Sequence, residues 1–146
     1  MSGPATVTAA VLVIGDEILS GRTKDRNIGY IAEYLARLGV DVREARVVPD
    51  VEDEIVAALD ALKGRYDYVV TTGGIGPTHD DITADAVARA FGVPIGEDPR
   101  AMAIMMERYL PDDLTPARRR MARIPEGAEL VDNPISKAPG FRIGNV

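Results

Sequence analysis

Three apolar stretches, each leading into a segment with helical spacing, set the frame of the chain. Val7 to Ile14 (VTAAVLVI) is almost continuously apolar, the mark of a strand covered on both faces. Between Asn27 and Leu38, residues Ile28, Ile31, Leu35 and Leu38 share one face of a predicted helix that Gly39 closes. Val40 to Val48 alternates in part and is rich in β-branched residues, which predicts a second strand ended by Pro49-Asp50. Asp50 is then the expected N-cap of a helix to about Leu62, with Ile55, Val56, Leu59 and Leu62 inward. Tyr66 to Val70 predicts a third strand, and Ile82, Ala86, Val87 and Ala90 repeat at helical spacing towards Phe91. This β-α-β-α-β-α order predicts an α/β fold: a three-layer αβα arrangement with a mainly parallel sheet and right-handed crossovers.

The pattern beyond Phe91 is shorter-ranged. Gly92 to Gly96 reads as a linker or short strand, and Asp98-Pro99 opens a helix with Met102, Met105, Met106 and Tyr109 on one side. A methionine stripe of this kind belongs to a core or a subunit contact. Thr115-Pro116 opens a segment carrying Arg118, Arg119, Arg120 and Arg123, read as a solvated face in preference to an anion site. Glu129 to Val131 predicts a strand, and the chain ends in what reads as the start of another. The expectation is therefore a single domain over 1–146, truncated at its C-terminus.

The chemistry concentrates between Thr71 and Thr83, TTGGIGPTHDDIT, where a predicted strand turns into a predicted helix. Such turns are where α/β sheets place their ligands. Gly73, Gly74 and Gly76 let backbone N–H groups approach an anion, and the helix start adds further donors. Asp80 and Asp81 at the same point suggest a cation bridging to phosphate. Thr78 to Asp81 also fits a capping box, with Thr78 as N-cap and Asp81 reaching back. His79 reads as a surface turn residue, and no lysine follows the glycines as a Walker A loop requires. In a parallel sheet the strand ends share one edge, so Asp16, Glu17 and Asp50 are expected beside this loop. The turn with Ser20 and Gly21 offers further ligand contacts, and Arg22, Lys24 and Lys137 are candidate phosphate contacts.

Composition narrows the ligand. A formal charge of −6 argues against nucleic acid, which needs a basic face. Zero cysteines and one histidine leave oxygen ligands for any metal, favouring Mg²⁺, Mn²⁺ or Ca²⁺. No apolar run reaches membrane-span length and no signal-peptide pattern opens the chain, so a cytoplasmic protein without a membrane partner is expected.

GDEILSG at 15–21, VVPD at 47–50, TTGGIGPTHDDIT and NPISKAPGF together resemble the molybdopterin-binding domain of molybdenum-cofactor biosynthesis proteins. The likeness spans about residues 8–143, and NPISKAPGF points to the N-terminal half of the competence/damage-inducible protein A group. That group is in turn similar to the matching domain of eukaryotic FAD synthases. The resemblance implies a glycine-rich loop that binds the phosphate region of a pterin, catalytic aspartates at Asp50 and Asp81, and assistance from Thr83 and its turn. It also implies a homo-oligomer, a trimer or dimer. For the competence-protein branch it implies metal-dependent cleavage of nucleotide pyrophosphates such as ADP-ribose. Longer members of that branch carry an amidase domain that nothing in this chain matches, and the second glycine/proline loop expected after the final strand is missing.

Three readings follow. The first is a molybdopterin- or nucleotide-binding domain acting on a phosphoanhydride, with Asp50 and Asp81 catalytic and Gly73, Gly74, Gly76, Thr78, Thr83, Ser20 and Gly21 holding phosphate. Asp80, Asp81, Asp50 and Glu17 would hold Mg²⁺ or another divalent ion, with Asp16 as helper. The second is a metal-dependent ADP-ribose or FAD pyrophosphatase using the same cradle. The third is a non-catalytic binding or oligomerisation module.

Overall fold

A computed structural model describes residues 6–133 and 138–146. The chain divides into two compact units: residues 1–73 with 145–146, and residues 74–144.

The first unit is built on a three-stranded parallel sheet in the order β2-β1-β3, with β1 at Val7–Ile14, β2 at Val40–Val48 and β3 at Tyr68–Thr72. The register pairs Val7 with Val40 and Ile14 with Val48 on one side of β1, and Ala9 with Tyr68 and Val13 with Thr72 on the other. From Ala9 to Ile14 every residue of β1 is buried, so both of its faces are covered, as the unbroken apolar run requires. A short helix α1 (Asp16–Leu19) and the helix α2 (Asn27–Arg37) link β1 to β2, and α3 (Glu52–Lys63) links β2 to β3. The chain moves outward to β2 and then back across β1 to β3. Right-handed crossovers therefore put α2 and α3 on opposite faces of the sheet.

Helix α3 buries Ile55, Ala58, Leu59 and Leu62. Its N-cap is Val51 and not Asp50, whose carboxylate is engaged elsewhere. Helix α2 starts where the Asp25 carboxylate accepts the N–H groups of Asn27 and Ile28. It buries no residue fully, and Leu38, expected on the inward face, lies beyond the helix and is exposed. Its outer side carries Tyr30 stacked on Tyr34, ring centres 6.4 Å apart.

Where β2 nears the end of α3, Glu44 gathers three partners. Arg46 Nε lies 2.6 Å away, the Tyr66 hydroxyl donates at 2.7 Å, and Arg65 approaches to 3.6 Å. The Arg46 hydrogen bond, seconded by Tyr66, holds the Glu44 carboxyl below the usual carboxylate range, and the same contact pushes the Tyr66 phenol up. Asn145 closes the unit: its carbonyl accepts from Val69 N, and its amide donates to the Lys63 and Tyr66 carbonyls at the end of α3.

The second unit holds α4 (Thr83–Phe91), β4 (Ile95–Glu97), α5 (Pro99–Met105), α6 (Pro116–Arg119), β5 (Arg123–Pro125), β6 (Glu129–Val131) and β7 (Gly140–Arg142). Its strands form two antiparallel ribbons, β4-β5 and β6-β7; β4 takes the short-strand alternative expected near Gly92–Gly96, β6 is the strand expected at Glu129–Val131, and β5 is a strand the sequence pattern does not mark. Asp98 caps α5 through Arg100 N, and Pro99 follows at the first helical position. The methionines do not act as one stripe: Met105 is fully buried among the core residues, whereas Met106 is exposed. Ala86, Val87, Ala101, Ala122, Ile124 and Ala128 complete this core.

Candidate functional site

In the first unit the strand order changes direction between β1 and β3, the switch point at which open parallel sheets leave a crevice beyond their carboxyl ends. Gly73 follows β3 directly. Its φ of +90° is a conformation that side-chain-bearing residues rarely adopt, and a Cβ there would run into the Ile14 carbonyl. The end of β3 is thereby pressed against the end of β1 so closely that only glycine fits.

The carboxylates after β1 and β2 meet. Gly15 N donates to the Val48 carbonyl at 3.0 Å and so extends the ladder. Beyond it, Asp16 N donates to Asp50 Oδ2 at 3.1 Å and Asp50 N donates to Asp16 Oδ1 at 3.0 Å. Each aspartate caps the other's backbone, and each keeps its second carboxylate oxygen without a hydrogen bond among the described residues. Glu17 folds back over Gly15, where a Cβ would lie 2.7 Å from Glu17 Oε1. Ser20 is taken up locally: its hydroxyl donates to the Glu17 carbonyl at 3.3 Å and accepts from Arg22 N and Nε. Gly21 takes the left-handed conformation that completes this turn, and Lys24 is exposed.

The second unit opens with the rest of the glycine-rich loop. Gly74 has φ +66°, and a Cβ would strike the Thr83 hydroxyl, while Thr83 N donates to the Gly74 carbonyl at 3.1 Å. Thr83 is itself buried. Asp81 Oδ2 accepts from Thr78 N at 2.9 Å and from Thr78 Oγ1 at 2.8 Å, and Asp81 N donates back to the Thr78 carbonyl at 3.1 Å. Only the Asp81 half of a capping box is present, since the Thr78 hydroxyl donates to Asp81 and does not take its N–H, and no helix starts here: α4 begins at Thr83 with Ile82 as N-cap and no side-chain cap. Thr78 to Asp81 is instead a closed turn ahead of the helix. Gly76 faces it, with its Cβ position 2.8 Å from Asp81 Oδ2. His79 and Asp80 are largely exposed and 3.3 Å apart.

The arginines are partly solvated, and each has a partner within the second unit. Arg120 Nε donates to the Thr78 carbonyl at 3.2 Å and its Nη2 to the Asp81 carbonyl at 3.4 Å, so one guanidinium spans the acidic turn from behind. Arg123 pairs with Asp85 at 2.8 Å, Arg119 forks onto Glu97 at 2.8 and 3.0 Å, and Arg118 donates to the Asp113 carbonyl while lying over Tyr109. Sequence reasoning missed the roles of Arg120 and Asp85, because contacts to carbonyls 39 and 42 positions away leave no local pattern. Lys137 lies outside the described residues.

Among the described residues no group of three acidic or histidine side chains is gathered as a metal cage. The donor sets present are pairs: Asp16 with Asp50, and Asp80 beside Asp81. Hard oxygen pairs suit Mg²⁺ in its usual protein mode, in which one or two carboxylates act together with water and substrate phosphate. Also among the described residues, no helix is long and apolar enough to cross a membrane.

The family model described as a probable molybdopterin binding domain matches residues 10–146. A CinA-like protein of Citrifermentans bemidjiense is 44% identical over 140 residues, covering 92% of this chain and 34% of the relative. A Thermoplasma acidophilum protein is 40% identical over 133 residues, covering 91% and 52%. The chain thus spans between a third and about half of the length of these relatives. Among solved structures, CinA from Thermoplasma acidophilum superposes with a TM-score of 0.88 at 38% identity, covering 97% of this chain and 85% of that one. The tungsten cofactor synthesizing protein MoaB from Pyrococcus furiosus superposes with a TM-score of 0.55 at 29% identity, covering 73% and 65%.

Proposed function

The chain belongs to the molybdopterin-binding domain family, within reach of the CinA-like proteins, and from that footing we propose that it binds a phosphorylated pterin or nucleotide and acts on its phosphoanhydride with a divalent metal. The observation that carries the reading is the glycine pair. Gly73 and Gly74 both adopt positive φ, and a side chain at either would collide with the Ile14 carbonyl or the Thr83 hydroxyl. A glycine-rich turn between a strand and a helix suits phosphate, and the start of α4 adds a favourable dipole.

In this reading Asp50 with Asp16 in the first unit, and Asp81 with Asp80 in the second, are each by itself a carboxylate pair that would hold Mg²⁺. The ion, when bound, supplies charge neutralisation for the phosphoanhydride oxygens. The protein's own part is orientation. The reciprocal Asp16–Asp50 hydrogen bonds fix two carboxylates with one free oxygen each, and Thr78 holds the Asp81 carboxylate to one rotamer. Water or a pterin phosphate as acceptor would separate hydrolysis from nucleotidyl transfer on the same cradle.

The test is turnover by the chain against ADP-ribose, FAD, and ATP plus molybdopterin, with and without Mg²⁺ or Co²⁺. Metal-dependent AMP release from ADP-ribose or FAD supports the pyrophosphatase form, and adenylylated pterin from ATP supports the transferase form. Ligand-dependent thermal stabilisation with no product under any of these conditions would overturn catalysis in favour of a binding module.

A further inference from the structure

Arg120 meets the acidic turn at residues 78–81 through main-chain oxygens. Its Nε donates to the Thr78 carbonyl at 3.2 Å and its Nη2 to the Asp81 carbonyl at 3.4 Å. One planar fork thus holds both ends of a turn whose middle residues, His79 and Asp80, are largely exposed. The Asp81 carboxylate is engaged separately: Oδ2 accepts from Thr78 N and Oγ1, and Oδ1 has no hydrogen-bond partner among the described residues. The guanidinium therefore fixes the backbone that carries the carboxylate without occupying the carboxylate itself.

A bare guanidinium beside a turn that takes a cation would oppose that cation. Here Asp85 offsets it. Its carboxylate lies 4.0 Å from Arg120 Nη2 and 2.8 Å from Arg123 Nη2, and Arg123 Nη1 donates to it at 3.1 Å. The Asp85, Arg123 and Arg120 side chains are 24, 28 and 30% exposed, so these charges are screened less than free surface ones. Asp85 stands in the first turn of α4 and Arg123 opens β5, so regular elements support the fork. Among the described residues Arg120 makes no ion pair with Asp80 or Asp81, the nearest carboxylates in the turn it holds. Its contact is with the shape of the turn and not with its charge.

We propose that Arg120 is a positioning residue for Asp81: by clamping the Thr78 and Asp81 carbonyls it presents the Asp81 carboxylate to a divalent metal. The inference rests on the reading of Asp81 as a metal-holding carboxylate. Groups that orient a ligand without touching the metal carry roughly ten- to a hundredfold of metal affinity. The sign of the effect separates positioning from charge. A residue acting by charge alone repels the metal, so neutralising it tightens binding; a residue acting by position loosens binding when it is removed.

The probe is Mn²⁺, titrated calorimetrically into the metal-free chain, and the component that Asp81→Asn removes is the one at issue. Arg120→Gln should weaken that component about tenfold. Arg120→Lys keeps the charge but loses the planar fork, and should recover only part of the loss. In the metal-free chain, hydrogen exchange at the Thr78 and Asp81 amides should quicken in Arg120→Gln, while the β4-β5 amides keep their wild-type rates. A merely structural role would quicken both sets together. Unchanged or tighter Mn²⁺ binding in Arg120→Gln would overturn the inference, as would wild-type exchange at both turn amides. The two readings fail separately. Mn²⁺ binding that falls with Asp81→Asn but not with Arg120→Gln sinks only the positioning role, whereas binding indifferent to Asp81→Asn removes Asp81 from the metal and Arg120 with it.

Discussion

Asp16 and Asp50, 34 positions apart, each accept the other's backbone N–H, at 3.1 and 3.0 Å. The pair joins the segments that follow two adjacent parallel strands, at the point where their ladder has run out. It has a structural and an electrostatic component, and substitution can separate them. Asp50→Ala removes an acceptor and should cost about 1 kcal/mol, seen as a lower urea midpoint. Asp50→Asn keeps an oxygen for Asp16 N and should unfold near the wild-type midpoint, while metal-dependent turnover falls at least tenfold. Equal turnover in wild type and Asp50→Asn would remove Asp50 from the proposed machinery.

The glycine pair predicts an order of severity. Alanine at either position bears the strain of a left-handed backbone, roughly 1–2 kcal/mol. At Gly73 the obstruction is a backbone carbonyl at the end of the central strand, which cannot rotate away, whereas at Gly74 it is a threonine hydroxyl. Gly73→Ala should therefore destabilise more than Gly74→Ala in chemical denaturation. Thr83→Ala should partly rescue Gly74→Ala and leave Gly73→Ala unchanged.

Stability should fall on the acid side through Glu44. Its folded carboxyl titrates below its unfolded value of 4.5, because Arg46 and then Tyr66 hydrogen-bond the charged form. A depressed carboxylate contributes stability that is present above the unfolded pKa and is lost as pH drops through the folded one. Glu44→Gln should thus flatten the decline in melting temperature below about pH 4.5. At the alkaline end the sign is reversed: Tyr66 is raised above 10.0, so its contribution is fully present below 10.0 and is lost as pH rises through the higher folded value. Tyr66→Phe should remove that alkaline loss.

Core and surface changes should separate cleanly. Leu12 is fully buried in the central strand, and Leu12→Ala should cost about 2–5 kcal/mol. The Arg119–Glu97 pair is roughly half exposed, and breaking it with Arg119→Ala should cost no more than about 1 kcal/mol. Thermal melts of both variants under one buffer test the contrast.

What was legible in the sequence follows from how far each signal reaches along the chain. The apolar run of β1 and the spacing of Ile55, Leu59 and Leu62 are local, and they set the parallel sheet and α3 directly. The glycine-rich loop and its acidic turn were likewise visible as a motif. Caps are legible where a proline fixes the first turn, as at Asp98 and Thr115, whereas Asp50 and Thr78 have the chemistry of an N-cap and are drawn elsewhere, Asp50 by Asp16 and Thr78 by a turn closed on Asp81. The partners of the arginine segment are hidden from the sequence for the same reason. Its partners Glu97, Asp85 and the Thr78 carbonyl lie 22, 38 and 42 positions away, beyond any periodicity.

Asn145 belongs with the first unit although residues 74–144 come between. Its amide stops the end of α3 and its carbonyl takes the Val69 N–H, so these bonds cannot form until the intervening unit has been made. During synthesis the sheet strands would emerge early and wait with one edge group unmet. The last contact to form is also among the most distant in sequence, a topology that slows folding and lengthens the time an unfinished edge is exposed. Until residue 145 has been made, the Val69 N–H remains an open group on the edge of the sheet.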